Sequence, residues 1–302
     1  MRVFLTGATG FIGSIVVEEL RAAGHRVVGL ARSDAAAQTL ASRGVDVQRG
    51  DVADPARLAE AARASDGVIH CAFGHDFSKY VEMGEADLRA VSALADALAG
   101  TGKPLIVTSG MTAGTYGRAS TEADPAQTEG VLGVRGRPEQ LALDASVRNV
   151  RSAVVRLPPS VHDVGQQGIV SMLVATAQQT HVSAYVGDGL NRWPAVHRRD
   201  AAHLFRLALE RAEPGERLHA VGEEGVTLRS IAEAIGAKLG VPTRSVDPAA
   251  SADHFGWFAA MASSDMPASS AATQRRIGWR PTQPGLLNGL MDNYLAGAPL
   301  TT

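Results

Sequence analysis

After Met1 the chain reads Arg2-Val3-Phe4-Leu5-Thr6-Gly7-Ala8-Thr9-Gly10-Phe11-Ile12-Gly13, a short apolar run that leads directly into three spaced glycines. The run predicts a buried strand, and the apolar residues that follow at helical spacing (15, 16 and 20) predict a helix. In this order Gly7 permits a tight turn, Gly10 lets a phosphate approach the backbone, and Gly13 lets the helix pack closely on the strand. Because the helix N-terminus then faces the phosphates, the stretch predicts a dinucleotide site. The residues expected to bind the dinucleotide are Gly7, Thr9, Gly10, Phe11, Ile12 and Gly13.

Composition and charge are those of an ordinary soluble globular protein. The chain has 302 residues, 45% of them hydrophobic and 20% charged, and its formal net charge is −2. That charge provides no field that would attract nucleic acid or an anionic membrane, so we expect neither as a partner. Cys71 is the only cysteine, which excludes an internal disulfide and a cysteine metal cluster, and we predict no metal site. Neither a signal peptide nor a long apolar span is seen, which predicts a cytoplasmic protein.

Strand and helix patterns alternate along the first half of the chain. Short apolar runs predict further strands at 26–30, 45–48, 67–71 and 104–108, with alanine-rich helical segments between them. Such alternation predicts an α/β protein with a doubly wound parallel sheet of the Rossmann type. We expect a dinucleotide-binding domain over 1–160, to which the chain returns around 183–222. A smaller α-rich substrate lobe over 161–302 would be interleaved with it.

The octet TGATGFIG at 6–13 resembles the signature of the extended short-chain dehydrogenases/reductases, the family that includes sugar-nucleotide epimerases and dehydratases. Two later stretches, at 50–52 and 66–72, also resemble this family. The resemblance implies that Asp51 and Val52 contact the adenine, and that Cys71, Ala72, Phe73 and Pro158 line the cofactor. In relatives a helix like the one predicted over 80–99 pairs with its copy in a homodimer. An ordinary helix that covers the sheet is the alternative.

The end of the second predicted strand indicates which cofactor the fold would hold. A fold that prefers NAD usually has an acidic residue there for the ribose 2′-hydroxyl, whereas a 2′-phosphate needs cationic or hydroxyl donors. This chain reads Leu30-Ala31-Arg32-Ser33, with no carboxylate before Asp34. Arg32 could pair with a 2′-phosphate through two bonds and Ser33 could add a donor, which favours NADP(H) over NAD(H). The alternative is that Arg32 is a solvated loop charge.

The catalytic residues that the resemblance implies are only partly present. It implies that a hydroxyl after the fifth strand, on Ser109 or Thr112, bonds a substrate carbonyl and polarises it for hydride attack. A Tyr-x-x-x-Lys pattern should follow, but this chain reads GVRGRPEQ at 133–140, which resembles an atypical subgroup of the family. Arg135 or Arg137 could hold the ribose or stabilise negative charge, although arginine is a poor proton donor near neutral pH. The proton would come from a histidine, for which His162 is a candidate, or from water. Two arginines on a solvated helix start are the alternative.

Further candidates for the substrate pocket are polar or aromatic residues in loops. His75 and Asp76 follow a central strand, where ligands bind in open α/β sheets, although Asp76 could instead cap a helix. Trp193 and His197 belong to a stretch that contacts substrate in relatives, with a core role as the alternative. The predicted pocket residues are His75, Asp76, Met111, Trp193 and His197.

These observations favour an NADP(H)-dependent oxidoreductase, of the carbonyl reductase or alcohol dehydrogenase type, that acts on a small and partly apolar carbonyl or alcohol. A dinucleotide-sensing regulator related to nitrogen-repressor proteins is one alternative, because the missing tyrosine and lysine would not hinder binding without turnover. A sugar-nucleotide epimerase or dehydratase is the other. It is disfavoured because those chemistries depend on the missing tyrosine.

Overall fold

The computed structural model describes residues 1–74, 79–111, 117–130, 133–164 and 169–288. The strands are β1 (Arg2–Thr6), β2 (Arg26–Ala31), β3 (Asp46–Arg49), β4 (Gly67–His70), β5 (Pro104–Gly110), β6 (Arg151–Leu157), β7 (Ser160–His162), β8 (Ser183–Val186), β9 (Arg192–His197), β10 (Glu216–His219), β11 (Glu223–Thr227) and β12 (Thr243–Val246). The α-helices are α1 (Gly13–Ala22), α2 (Asp34–Ser42), α3 (Pro55–Arg63), α4 (Tyr80–Leu98), α5 (Gly133–Asp144), α6 (Val170–Thr180), α7 (Arg198–Arg211), α8 (Leu228–Leu239), α9 (Ser251–Phe255), α10 (Ala259–Ala262) and α11 (Ala271–Ile277).

Parallel strands form a seven-stranded central sheet in the order β10-β6-β5-β4-β1-β2-β3. β1 pairs with β2 on one side and with β4 on the other, so the winding of the chain reverses at β1. Such a switch point opens a crevice at the carboxyl ends of the two strands, and the glycine turn follows β1 there. The predicted Rossmann-type fold is confirmed.

Helices cover both faces of the sheet because its strands are apolar on both sides. In β4, for example, every residue is buried. One face packs with α1 and α7 around residues that include Leu5 and Phe205. The other packs with α3, α4 and α5 around residues that include Phe4 and Leu94. The two clusters hold the strand ends, and therefore the crevice, in a fixed arrangement.

The C-terminal half forms a smaller lobe and also returns to the central sheet. β7, β9 and β11 form a three-stranded sheet, and β8 pairs with β12. The core of this lobe is a separate cluster that includes Trp193, Phe255 and Phe258. Between these elements β10 joins the edge of the central sheet beside β6. Across the described ranges, each helix is too short or too polar to cross a membrane.

Candidate active site

The glycine turn joins β1 to α1 and touches the end of β4. Gly7 has a φ of +71°, a conformation that favours glycine, and a Cβ there would lie 2.8 Å from the Ala72 nitrogen. The Gly10 amide donates to the Gly7 carbonyl at 2.9 Å, which closes the turn. A Cβ on Gly13 would lie 2.0 Å from the Gly7 oxygen, so only glycine lets α1 start this close to the turn. The turn therefore has the geometry that the sequence predicts.

Helix α1 begins without a side-chain cap and has no acidic residue in its first turn. In contrast, side-chain oxygens of Ser33, Asp54 and Thr227 cap α2, α3 and α8. The N-terminus of a helix carries partial positive charge and N–H donors that need partners. The bare turn and this uncapped end together suit a phosphate group.

A buried chain of polar side chains joins the ends of β1 and β4 to α4 and α5. Thr6 Oγ1 lies 2.8 Å from His70 Nδ1 and accepts a hydrogen bond from the Ala72 amide at 3.2 Å. His70 Nε2 donates to Asp87 Oδ1 at 2.9 Å, because an ionised carboxylate can only accept. Arg135 Nη1 donates to the other oxygen of Asp87 at 2.7 Å. The side chains of His70 and Asp87 are 1% and 3% exposed, so each depends on these partners.

Arg135 is held on three sides at the carboxyl ends of β4 and β5. Besides its bond to Asp87, the guanidinium donates from Nη2 to the Thr108 carbonyl at 2.7 Å. It also lies 4.0 Å from the centre of the Phe73 ring. A fixed cation at this edge of the sheet can stabilise negative charge that develops on a ligand. The structure therefore places this predicted catalytic candidate near the carboxyl ends of β4 and β5.

Asp87 is a site residue that the sequence analysis missed, and His70 is its partner. A signal was present in the helix pattern, because Asp87 shares the buried face of α4 with Gly84, Val91 and Leu94. An acidic side chain on the apolar face of a helix needs a buried partner. That need points to a polar cluster beneath the helix.

The turn after β2 carries an exposed cation. The Arg32 side chain is 85% exposed, and its ion pair with Asp51 is long, with 3.8 Å between Nε and Oδ2. Asp34, the first carboxylate after β2, pairs with Arg49 at 2.6 Å. The Ser33 hydroxyl accepts from an amide of α2 at 3.2 Å, which leaves its proton free to donate. The neutralised Asp34 leaves Arg32 as an accessible positive charge at the end of β2.

Several buried polar side chains, Ser152, Ser160 and Trp193 among them, have no hydrogen-bond partner within the described part of the chain, and two of this group lie near the carboxyl ends of β5 and β7. These two are Ser109, through Oγ, and His162, through both ring nitrogens, and each residue is 1% exposed. Burial, and to a lesser extent the neighbouring His197, lower the pKa of His162 from 6.5 to about 4. The two imidazole rings pack edge-on with centroids 5.4 Å apart. Buried polar groups without partners are unusual and suit a ligand that supplies them.

Comparison with known proteins identifies the family. Residues 3–136 match the NAD dependent epimerase/dehydratase family. The uncharacterized protein C2A9.02 of Schizosaccharomyces pombe is 44% identical over 295 residues, which cover 97% of this chain and 99% of that protein. The chain belongs to the NAD-dependent epimerase/dehydratase family.

Named and solved members of the epimerase/dehydratase family are more distant. The decarboxylating sterol-4-alpha-carboxylate 3-dehydrogenase of Dictyostelium discoideum is 26% identical over 259 residues, 81% of this chain and 78% of that enzyme. The fold is similar to that of DesIV, a dTDP-glucose 4,6-dehydratase of Streptomyces venezuelae solved with NAD. That similarity has a TM-score of 0.75 at 20% identity and covers 96% of this chain and 95% of DesIV. Members of the family bind NAD(P).

The residues at the turn fit the dinucleotide that the family binds. Gly7 and Gly10 leave a bare backbone beside the uncapped end of α1. Cys71 and Ala72 lie against Gly7 and are half-buried, so they form a wall next to the turn. Burial raises the pKa of the Cys71 thiol to about 12, which keeps this wall neutral. The contacts expected from the other cofactor candidates remain predictions for Thr9, Phe11, Ile12, Asp51, Val52, Phe73 and Pro158.

The remaining predicted site residues are dispersed. Arg137 pairs with Glu85 at 2.7 Å and is 40% exposed. Trp193 is 0% exposed in the core of the smaller lobe, so its ring packs against protein. Met111 follows β5 and is half-buried. The residues His75, Asp76 and Thr112 lie outside the described ranges. Within those ranges, no three or more histidine, cysteine, aspartate or glutamate side chains cluster so as to hold a metal ion.

Proposed function

We propose that this protein is an NADP(H)-dependent oxidoreductase that interconverts a carbonyl and an alcohol on a small, partly apolar substrate. One observation carries the proposal. The Arg135 guanidinium is fixed at the carboxyl ends of β4 and β5 by Asp87 and by the Thr108 carbonyl. This arrangement places a guanidinium whose charge is paired with Asp87, and whose position is therefore fixed, at the sheet edge of a chain that lacks the tyrosine and lysine of typical relatives.

When bound, the nicotinamide supplies or takes up a hydride; the protein must hold the carbonyl oxygen and manage its charge and proton. The Ser109 hydroxyl, buried and without a described partner, would donate to that oxygen, with Thr112 as the alternative donor. Arg135 would stabilise the negative charge on the oxygen, because a fixed cation acts strongly where water is excluded. A proton then completes the alcohol. His162 would relay it from water rather than give up its own, because with a pKa of about 4 the ring is neutral near pH 7.

The preference for NADP(H) rests on the charges after β2. Arg32 is exposed, whereas Asp34 is paired with Arg49. A guanidinium binds a phosphate through two charge-assisted bonds, and a 2′-hydroxyl offers no such pairing. This arrangement supports a site for the 2′-phosphate.

The substrate class is supported by the relatives and by the residues at the strand ends. The Dictyostelium relative is a 3-dehydrogenase, a name that indicates exchange between an alcohol and a carbonyl. Phe73 and Met111, after β4 and β5, favour a substrate with an apolar part. The family name and the DesIV-like fold favour a second candidate, a sugar-nucleotide epimerase or dehydratase.

Mixing the protein with NADPH and a panel of small aldehydes, ketones and sugar nucleotides tests the proposal. We expect loss of NADPH absorbance with a small carbonyl compound, reduced about 100-fold or more in Arg135→Gln because a charge-stabilising donor is lost. Arg148→Ala, which removes an exposed partner of Asp96, should leave the rate unchanged. NADPH binding without turnover over the whole panel would favour the sensing regulator. Conversion of a sugar nucleotide without net NADPH loss would favour the epimerase.

A further inference from the structure

Arg198, the first residue of α7, reaches from the start of that helix to the glycine turn. Its guanidinium carbon lies 4.6 Å from the centre of the Phe11 ring, and Nη1 lies 3.5 Å from the Phe11 carbonyl oxygen. The side chain is 19% exposed, so most of it is enclosed. A cation is therefore held beside the uncapped start of α1.

Asp163, at the end of β7, fixes the direction of this guanidinium. Arg198 Nε donates to Asp163 Oδ2 at 2.6 Å. The other oxygen, Oδ1, accepts from the Val164 amide at 2.6 Å and lies 3.3 Å from His197 Nε2. His197 Nδ1 accepts from the Arg199 amide at 3.2 Å, so both of its ring nitrogens are occupied. Within the described ranges Arg198 Nη2 has no partner, which leaves its two donors available to a ligand.

The octet at 6–13 contains no cationic side chain, so its own donors are neutral amides and hydroxyls. A dinucleotide carries a diphosphate with two negative charges, which a guanidinium pairs with more strongly than an amide does. The first turn of α1 contains no acidic residue to repel that ligand. Among the described residues, Asp163 is the carboxylate that pairs with Arg198, and the guanidinium retains donors beyond that pair.

We propose that Arg198 binds the diphosphate of the dinucleotide from the start of α7, with Asp163 as its positioning residue. The inference rests on the dinucleotide-binding part of the proposed function and does not depend on the substrate or on the NADP(H) preference. It adds a cofactor-binding residue, Arg198, that lies 187 positions after Phe11 of the glycine motif in the chain.

Calorimetric titration of three probes tests this role: NADPH, ADP-ribose, which keeps the diphosphate, and 2′-AMP, which lacks it. For Arg198→Ala we expect the Kd of NADPH and of ADP-ribose to rise about 10- to 100-fold, the size of a lost charge-assisted bond. The Kd of 2′-AMP should stay within about threefold. Arg198→Lys should lose less affinity for NADPH and ADP-ribose than Arg198→Ala, because lysine keeps the charge but lacks the planar fork of the guanidinium. The affinity of Asp163→Asn should lie between those of Arg198→Lys and wild type.

The adjacent Arg199 provides the matched control. Its ion pair with Glu18 is long, at 3.6 Å, and more than half exposed on both sides, so Arg199→Ala should bind all three probes like wild type. Urea unfolding of each variant checks that the fold is intact, and Arg198→Lys serves if the alanine variant does not fold. Unchanged NADPH affinity in both Arg198 variants, or a loss of 2′-AMP affinity as large as that of NADPH, would overturn the role of Arg198 but leave the proposed function standing. A wild-type protein that binds none of the probes would overturn the proposed function itself.

Discussion

Replacing Asp87 with alanine should lower the free energy of unfolding by about 3–5 kcal/mol, the usual cost of removing one partner from a buried ion pair. The burial and hydrogen bonds of Asp87 account for the magnitude of this loss. Asp87 is 3% exposed and accepts from His70 Nε2 at 2.9 Å and from Arg135 Nη1 at 2.7 Å. Its removal leaves a buried cation and a buried imidazole N–H without their shared acceptor, and water has little access to replace it. For a urea dependence of about 3 kcal/mol per molar, the unfolding midpoint should fall by roughly 1 M or more.

The control for this experiment lies two residues earlier on the same helix. Glu85 pairs with Arg137, and the two side chains are 42% and 40% exposed, so Glu85→Ala should cost about 1 kcal/mol or less. Removing Arg135 together with Asp87 eliminates the uncompensated charge. The free energy of unfolding should therefore fall less in the double variant than the sum of its losses in the two single variants, by about 1–3 kcal/mol. If Asp87→Ala and Glu85→Ala have the same urea midpoint, the reasoning about the buried network is refuted.

Three further predictions concern the cofactor site and pH. Arg32→Ala should weaken the binding of NADPH about 10-fold or more in a fluorescence titration and leave the binding of NADH nearly unchanged. Equal losses of affinity for the two dinucleotides would show that Arg32 does not bind the 2′-phosphate. Gly13→Ala should abolish dinucleotide binding or folding, because its Cβ would lie 2.0 Å from the Gly7 oxygen; unchanged affinity would contradict this packing. Because folding lowers the pKa of His162 from 6.5 to about 4, the unfolded chain gains the proton first on acidification, so stability falls between pH 6.5 and pH 4. His162 should contribute about 2 kcal/mol to the loss of stability at pH 5 relative to pH 7, and His162→Phe should reduce the loss measured by urea unfolding by about that amount, because His219 and His254 also have lowered pKa values and account for part of the rest.

The elements that could be predicted from the sequence are those set by local pattern. The glycine spacing and the apolar run before it determine the turn, and the observed β1 and α1 follow directly. Short apolar runs likewise predict β2, β4 and β5, because a strand buried on both faces has few polar residues, whereas the predicted edge strand β3 is polar and only partly buried.

The polar network depends on long-range pairing and therefore escaped prediction. Thr6 meets His70 only through the register of β1 against β4, and Asp87 reaches Arg135 across 48 positions. For Trp193 the sequence left two alternatives open. Its aromatic ring suits a pocket or a core equally in sequence, and only the packing of the smaller lobe places it in the core.

The central claim is that the glycine turn and the uncapped start of α1 hold a nicotinamide dinucleotide. Isothermal calorimetry of the wild-type protein with NADPH and with NADH tests this claim most directly. We expect one site per chain, with NADPH bound more tightly than NADH. Absence of heat with both dinucleotides, at protein concentrations that would detect millimolar binding, would contradict it.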